Sequence, residues 1–386
     1  MKKSSRVRKS KTAKKIKIKK LNRPEKFKVV DLFAGAGGFS LGAIQAGLEI
    51  VAAVEFDKNA AETYKKNIIK AQKTAVKIHK KNVLEIKPED LADKKEFGDH
   101  GCDLVLGGPP CQGFSVHRIN NAGVDDARNE LILHYFKFVS ALRSKYFLME
   151  NVPGILWERH KEYIDDFYKA GEAAGYLILP PITLDARNYG IPQRRKRVFI
   201  LGVRKDLGEI PIEWPPRQTH GDDSARKKDD ALLAWVPAST VFEQPLNGTD
   251  ENNIHLNHTP RMVDVFRSTP LNGGSRHESN RVLPCHLNHN GHKDVYGRID
   301  PALPGPTMTT ACVNPSKGRF LHPTEHHGIT VRHAARFQTF PEWFTFTGGI
   351  MASAKQVGNA VPVRFGEILV SKIKLALDNY YTNKRK

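Results

Sequence analysis

The sequence predicts an α/β fold: a largely parallel sheet with a smaller, irregular domain attached. Three observations predict it. Apolar runs at 27–33, 50–54, 102–106 and 146–149 have the length of buried parallel strands. They lead into glycine turns, a proline pair or an acid, the punctuation expected at the carboxyl edge of such a sheet. After Trp214-Pro215-Pro216 the composition changes: residues 206–330 hold ten of the sixteen histidines, many Asn, Gly and Pro, and few long apolar stretches.

The elements follow in order. Residues 27–33 alternate weakly and then become apolar, as a central strand does. A turn, Ala34-Gly35-Ala36-Gly37-Gly38, follows, and residues 39–46 can form a helix ending at Gly47. The next strand ends on Glu55. Strand, glycine turn, helix, strand and terminal acid describe the first half of a nucleotide-binding sheet. Ser40 stands at the third glycine position of G-x-G-x-x-G, which counts against a dinucleotide, whose pyrophosphate needs close backbone approach. S-adenosylmethionine carries no phosphate. It needs room for a methionyl group and an acid for its ribose hydroxyls, and Glu55 is placed to supply the acid.

The strand at 102–106 leads through Gly107-Gly108 to Pro109-Pro110-Cys111-Gln112. Two prolines fix the turn and present one cysteine where an α/β enzyme does its chemistry. A thiolate suits a reaction that needs a soft nucleophile able to leave again. Downstream, Glu150-Asn151-Val152 ends another apolar run, where a carboxyl held in a dry pocket can act as a proton donor. The run Gln193-Arg194-Arg195-Lys196-Arg197 leads into a strand at 198–202. Alternation sends Arg195 and Arg197 to one face and Arg194 and Lys196 to the other.

In this order the motifs resemble the DNA cytosine-5 methyltransferase family, of the bacterial restriction-modification type, over residues 29 to about 377. The resemblance implies a Rossmann-like adenosylmethionine-dependent methyltransferase sheet with a smaller, irregular target-recognition domain. It implies Cys111 as nucleophile on C6 of a flipped-out cytosine and Glu150 as donor to N3. Arg197 would contact the cytosine carbonyl oxygen, and Arg195 would support the pocket. The cofactor would lie on Phe33, Ala34, Gly35, Gly37, Gly38 and Phe39, with Glu55 and Phe56 at ribose and adenine. Pro109, Leu131, Asn359 and Ala360 would complete the pocket. Asn82 stands where the family usually has an aspartate. Residues 329–341 have helical periodicity and resemble the family's helix that organises the recognition domain, except that a Glu is usual where His333 stands. Gln112, Ser115, Arg118 and Gln193 are the expected DNA contacts, the first three on a loop after Cys111 that would close over the flipped base.

The expected domains are a basic tail at 1–25, a catalytic domain at 26–212, a recognition domain at 213–350 and a returning segment at 351–386. Residues 1–28 carry fourteen Lys or Arg against one acid, Glu25, out of a total formal charge of +20. That arm suits non-specific phosphate contact and lacks the apolar core of a signal peptide. Cys285, His286, His289 and His292 lack a clear metal-ligand pattern, so no metal is expected. No apolar run reaches a membrane span, and the expected setting is the cytoplasm of a bacterial or archaeal cell. The expected partner is double-stranded DNA, bound by a monomer working beside a restriction endonuclease. Two alternatives are a tRNA cytosine-5 methyltransferase on the same fold and a catalytically silent DNA-binding paralogue.

Overall fold

The computed structural model describes residues 23–91, 97, 101–110, 130–208, 212–279 and 294–383. Cys111, Gln112, Ser115, Arg118 and the Cys285/His286/His289/His292 group lie outside these residues, as do residues 1–22 of the basic arm. No helix among the described residues is long and apolar enough to cross a membrane.

Strands β1 (Lys28–Leu32), β2 (Glu49–Val54), β3 (Lys77–His79), β4 (Leu104–Gly107) and β5 (Tyr146–Asn151) run parallel in the order β3-β2-β1-β4-β5. β8 (Lys196–Arg204) pairs antiparallel with β5, and β6 (Tyr176–Ile178) and β7 (Ile182–Asp185) both pair with β8. The antiparallel step brings the start of β8 to the carboxyl edge of the parallel strands, with Asn151 opposite Val198. This is how Arg195 and Arg197 reach the end of β5.

Alternation along the strands divides the core. Val29, Leu104, Leu106 and Leu148 share a buried layer with helices α1 (Gly38–Gln45) and α10 (Val363–Asn383). Val30, Val105, Phe147 and Met149 share the other with α3 (Glu130–Leu142) and α4 (Lys161–Ala173). The α1–α10 approach is close: a Cβ on Gly42 would lie 2.6 Å from the backbone nitrogen of Glu367. α2 (Lys58–Gln72) starts at Asp57, whose carboxylate accepts from the N–H groups of Asn59 and Ala60.

Beyond the sheet the chain is mostly irregular. A two-stranded ladder pairs His220–Gly221 (β9) with Leu233–Ala234 (β10), and α5 (Asp223–Lys228) lies between them in sequence. Short helices α6 (Ser239–Phe242) and α7 (Pro260–Ser268) follow. Loops are knitted by buried arginines. The Arg298 guanidinium donates to the carbonyls of Phe266, Thr269, His322 and Glu325.

One boundary differs from the sequence expectation. The helical pattern at 329–341 yields only α8 (Val331–Phe337), because Thr339 takes φ 57° and turns the chain. Within the basic stretch, Arg23 belongs to the described fold. Arg23 pairs with Asp378 at 2.6 Å, its guanidinium lies 5.0 Å from the Phe27 ring centroid, and Phe27 stacks on Tyr381 of α10.

α8 also explains a departure from the resembled family. Thr330 and His333 form a reciprocal cap: the Thr330 hydroxyl accepts from the His333 N–H, and His333 Nδ1 accepts from the Thr330 N–H at 3.4 Å. Burial, with His322, Arg336 and His327 adding to it, pushes the imidazole down to about 2, so it stays a neutral acceptor. An imidazole nitrogen thus does the work of a capping carboxylate.

Helix α9 (Gly349–Asn359) is tied to α2 and its capping residue. Thr347 bonds Thr63, and Lys355 pairs with Asp57 at 2.7 Å.

Candidate active site

The carboxyl edge of the parallel strands gathers the described candidates. After β1, Phe33 takes φ 58° and Gly35 φ 56°, so the turn doubles back beneath the end of β2. There the Glu55 carboxylate accepts from the Gly35 N–H at 2.7 Å and the Asp57 N–H at 2.6 Å. Burial is the largest influence on this carboxyl and raises it; the two backbone donors act in the opposite direction. Phe56, beside it, is 74% exposed, an uncovered aromatic face next to a fixed acid.

Those two side chains test the expected cofactor. An acid with remaining lone pairs and an open aromatic surface suit ribose hydroxyls and a purine. Under the turn, Asp31 accepts from Ser40 at 2.6 Å, and Ser40 Oγ meets the Tyr64 hydroxyl at 2.7 Å. Ser40 is therefore spent on a buried chain below the turn. Burial pushes Asp31 up to about 7.

Gly37 and Gly38 serve packing as well as backbone freedom. Gly37 sits at φ 95°, and a Cβ on Gly38 would lie 2.4 Å from the Val361 carbonyl oxygen and 3.2 Å from Ala360 Cβ. The returning segment thus lies directly on the glycine turn. Within it Ala360 is buried and Asn359 is exposed. Leu131 is buried near the start of α3. Asn82 uses its side-chain carbonyl to cap the turn after β3, accepting from the Leu84 N–H at 3.1 Å.

On the reacting side, Glu150 lies inside β5, one residue before its end, and pairs with Arg197 at 2.8 Å (Nε to Oε1). Both side chains are mostly buried. Asn151 Nδ2 donates to the Pro109 carbonyl at 3.4 Å, tying the Glu-Asn-Val corner to the Pro-Pro turn that leads into Cys111. Gly108 leaves room for the acid, since a Cβ there would lie 3.2 Å from Glu150 Oε2. Cys102 and Cys312 are buried, and burial pushes both thiols up, Cys312 to about 12. Neither has the exposure or the acidity of a nucleophile.

Arg194 and Lys196 are exposed, Arg195 is buried and Arg197 turns to Glu150, in the alternation expected of a strand. Arg195 donates to the carbonyls of Met308 (3.1 Å), Gly358 (3.0 Å) and Ala360 (2.9 Å).

Gln193 is placed differently from the DNA contact expected of it. It is fully buried, its carbonyl accepts from the Met308 N–H, and its amide donates to the Phe337 carbonyl and to Gln338 Oε1. Every polar end of the side chain is occupied by protein, so in this arrangement it joins chain segments. Gln338, which sequence reasoning did not single out, is buried beside it.

The model of the C-5 cytosine-specific DNA methylases matches residues 27–375. The type II methyltransferase M.NgoPII of Neisseria gonorrhoeae is 33% identical over 91% of this chain and 96% of its own. M.XorII of Xanthomonas oryzae pv. oryzae, also a type II methyltransferase, is 31% identical over 90% of this chain and 84% of its own. Among solved structures, a DNA modification methyltransferase encoded within an E. coli prophage superposes with a TM-score of 0.70 at 26% identity, covering 91% of this chain and 99% of its own. DNMT2 of Spodoptera frugiperda, at 16% identity and a TM-score of 0.59, shares the fold.

Proposed function

The chain belongs to the C-5 cytosine-specific DNA methylases, and from that premise we propose that it methylates C5 of a flipped-out cytosine in duplex DNA through an adduct on Cys111. The observation that carries the reading is the Glu150–Arg197 pair at the end of β5, tied through Asn151 to the Pro109-Pro110 turn. This supports Glu150 as the proton donor and Arg197 as its cation, next to the turn that precedes Cys111 in the sequence.

C5 of cytosine is a poor nucleophile until a group adds to C6. The Cys111 thiolate forms a bond to C6, and the displaced electron pair moves toward N3. Glu150 donates a proton to N3, and Arg197 holds Glu150 in place while facing the base. The ring, now enamine-like, takes a methyl group at C5. A base then removes the C5 proton, the N3 proton returns to Glu150, and the C–S bond breaks to restore the aromatic ring and the thiolate. S-adenosylmethionine supplies the methyl group as a sulfonium. Phe33, Gly35 and Gly37–Phe39 in the glycine turn would hold its methionyl part, and Glu55 and Phe56 its ribose and adenine. Pro109, Leu131, Asn82 and Ala360 border that pocket, and Arg194 and Lys196 offer cations to phosphate. A cytoplasmic monomer paired with an endonuclease for the same site belongs to the same reading, supported by the type II names of its relatives.

The test uses 5-fluorocytosine at the target position. Fluorine cannot leave C5 as a cation, so the reaction should stop at a methylated adduct that survives denaturing electrophoresis. The adduct should require S-adenosylmethionine and be lost in Cys111→Ala. Persistence in Cys111→Ala would assign the nucleophile elsewhere, and an adduct formed only on RNA would transfer the protein to the tRNA reading.

A further inference from the structure

We infer that Gln338 is a positioning residue through which docking of the recognition loop at Met308 sets the methyl-donor pocket. The inference rests on the proposed function and names how its two binding regions communicate. Gln338 follows the last residue of α8 and is fully buried. Its amide nitrogen donates to the carbonyls of Val357 (2.6 Å) and Ala360 (3.0 Å), and its carbonyl oxygen accepts from Gln193 Nε2 (2.9 Å). Its backbone carbonyl receives the Val363 N–H at 3.0 Å, at the start of α10.

The partners on either side give this amide its direction. On one side, Gln193 accepts from the Met308 N–H at 2.8 Å, and Arg195 donates to the Met308 carbonyl, so both polar groups of one recognition-loop peptide are gripped. On the other side, Ala360 and Val361 lie against Gly38 in the glycine turn, close enough that even a methyl group there would collide. Between Met308 and Gly38 the connection consists of charged or amide hydrogen bonds and one backbone contact. None of these groups reaches solvent, and each hydrogen bond fixes a direction as well as a distance. An apolar side chain at 338 would fill the same space without specifying where the Ala360 carbonyl sits. Arg195 bonds that carbonyl too and lies two residues from Arg197, so a shift of the segment is felt at the Glu150 pair as well.

Binding free energies between two linked sites are reciprocal, and this gives a readout that a merely structural role would not move. The probe is S-adenosylhomocysteine, the demethylated product, which binds without turnover. Its dissociation constant is measured by calorimetry with and without a short duplex carrying the site mapped by sequencing of methylated DNA. In the wild type the duplex should tighten it by about fivefold or more, the usual lower range of such couplings. In Gln338→Met the ratio should fall by about twofold or more, because both bonds from the Gln338 amide to the returning segment are gone and only Arg195 still connects it to Met308. Gln193→Met leaves the bonds from Gln338 to Val357 and Ala360 in place and cuts the amide link to Met308, so that Arg195 alone still joins Met308 to the returning segment. It should lower the ratio while keeping the cofactor affinity of the free enzyme.

A structural defect alone would weaken binding equally with and without DNA, leaving the ratio intact, and that result in either variant overturns the inference. A wild-type ratio near one overturns it without any variant. Loss of DNA methylation by the wild type would sink the proposed function instead, so the two failures are distinguishable.

Discussion

Gly38→Ala puts the contact between the glycine turn and the returning segment to a quantitative test. Gly38 begins α1, where alanine is ordinarily better than glycine by about 1 kcal/mol. Helix propensity alone therefore favours the substitution. Packing opposes it: the new Cβ would lie 2.4 Å from the Val361 carbonyl oxygen, whereas carbon and oxygen settle at about 3.3 Å or more. The nearest atom belongs to a backbone and not to a flexible side chain, so the returning segment must move by almost an ångström. Overpacking of this kind costs about 1–3 kcal/mol, which leaves a net loss of up to about 2 kcal/mol after the propensity gain.

Gly35→Ala is the control. It meets nothing within 4 Å but sits at φ 56°, so it carries only the strain of a left-handed backbone, about 1–2 kcal/mol. Both variants should lose stability in urea, and hydrogen exchange separates them. Amides of residues 357–363 should exchange faster in Gly38→Ala and at the wild-type rate in Gly35→Ala. A Gly38→Ala protein at least as stable as the wild type, with those amides unchanged, would refute the reasoning.

Two further outcomes follow from the same structure. Asp31 is held near pKa 7 by burial against an ordinary 3.8, so the folded chain keeps a proton that the unfolded chain releases. Stability from this group is present below about pH 4 and is lost as pH rises toward 7, so Asp31→Asn should gain on the wild type across that window, then hold a constant lead of at most about 4 kcal/mol. Melting curves from pH 4 to 9 check this, and a pH-independent difference would exclude a titrating Asp31. Removing residues 1–22, which hold eleven Lys or Arg and no acid, should leave the methylated sequence unchanged and flatten the salt dependence of non-specific DNA binding by about 0.9 for each phosphate that the arm had neutralised. The cut stops before Arg23, whose bond to Asp378 belongs to the fold. A changed methylation site would show that the arm reads bases.

The sheet was legible because buried parallel strands announce themselves as short apolar runs, and Glu55 and Glu150 because each closes such a run. Arg195 and Arg197 were legible from strand alternation, which needs only one residue of register. Gln193 was not: within Gln-Arg-Arg-Lys-Arg it reads as surface, and its burial depends on Gln338, 145 positions away. No local pattern encodes that pairing. The signals for α8 were mixed. Periodicity ran on to residue 341, while the positive φ of Thr339, a residue that rarely adopts it, is imposed by tertiary bonds such as that from the Arg364 N–H to its hydroxyl. His333 looked like a departure from pattern and proved to preserve the pattern's function, since capping asks for an acceptor and not for a charge.

The close seating of α10 on α1 bears on how the protein is made. A ribosome releases Gly38–Gln45 some three hundred residues before Val363–Asn383, so the nascent sheet emerges with one layer of its core uncovered until that helix has been made. The first two hundred residues are therefore not a free-standing unit, and truncation after β8 should yield an aggregating chain. The same arrangement favours a protein split in the irregular region. Two fragments cut there each hold one half of a single apolar seam, and co-expression should let them find each other without a linker.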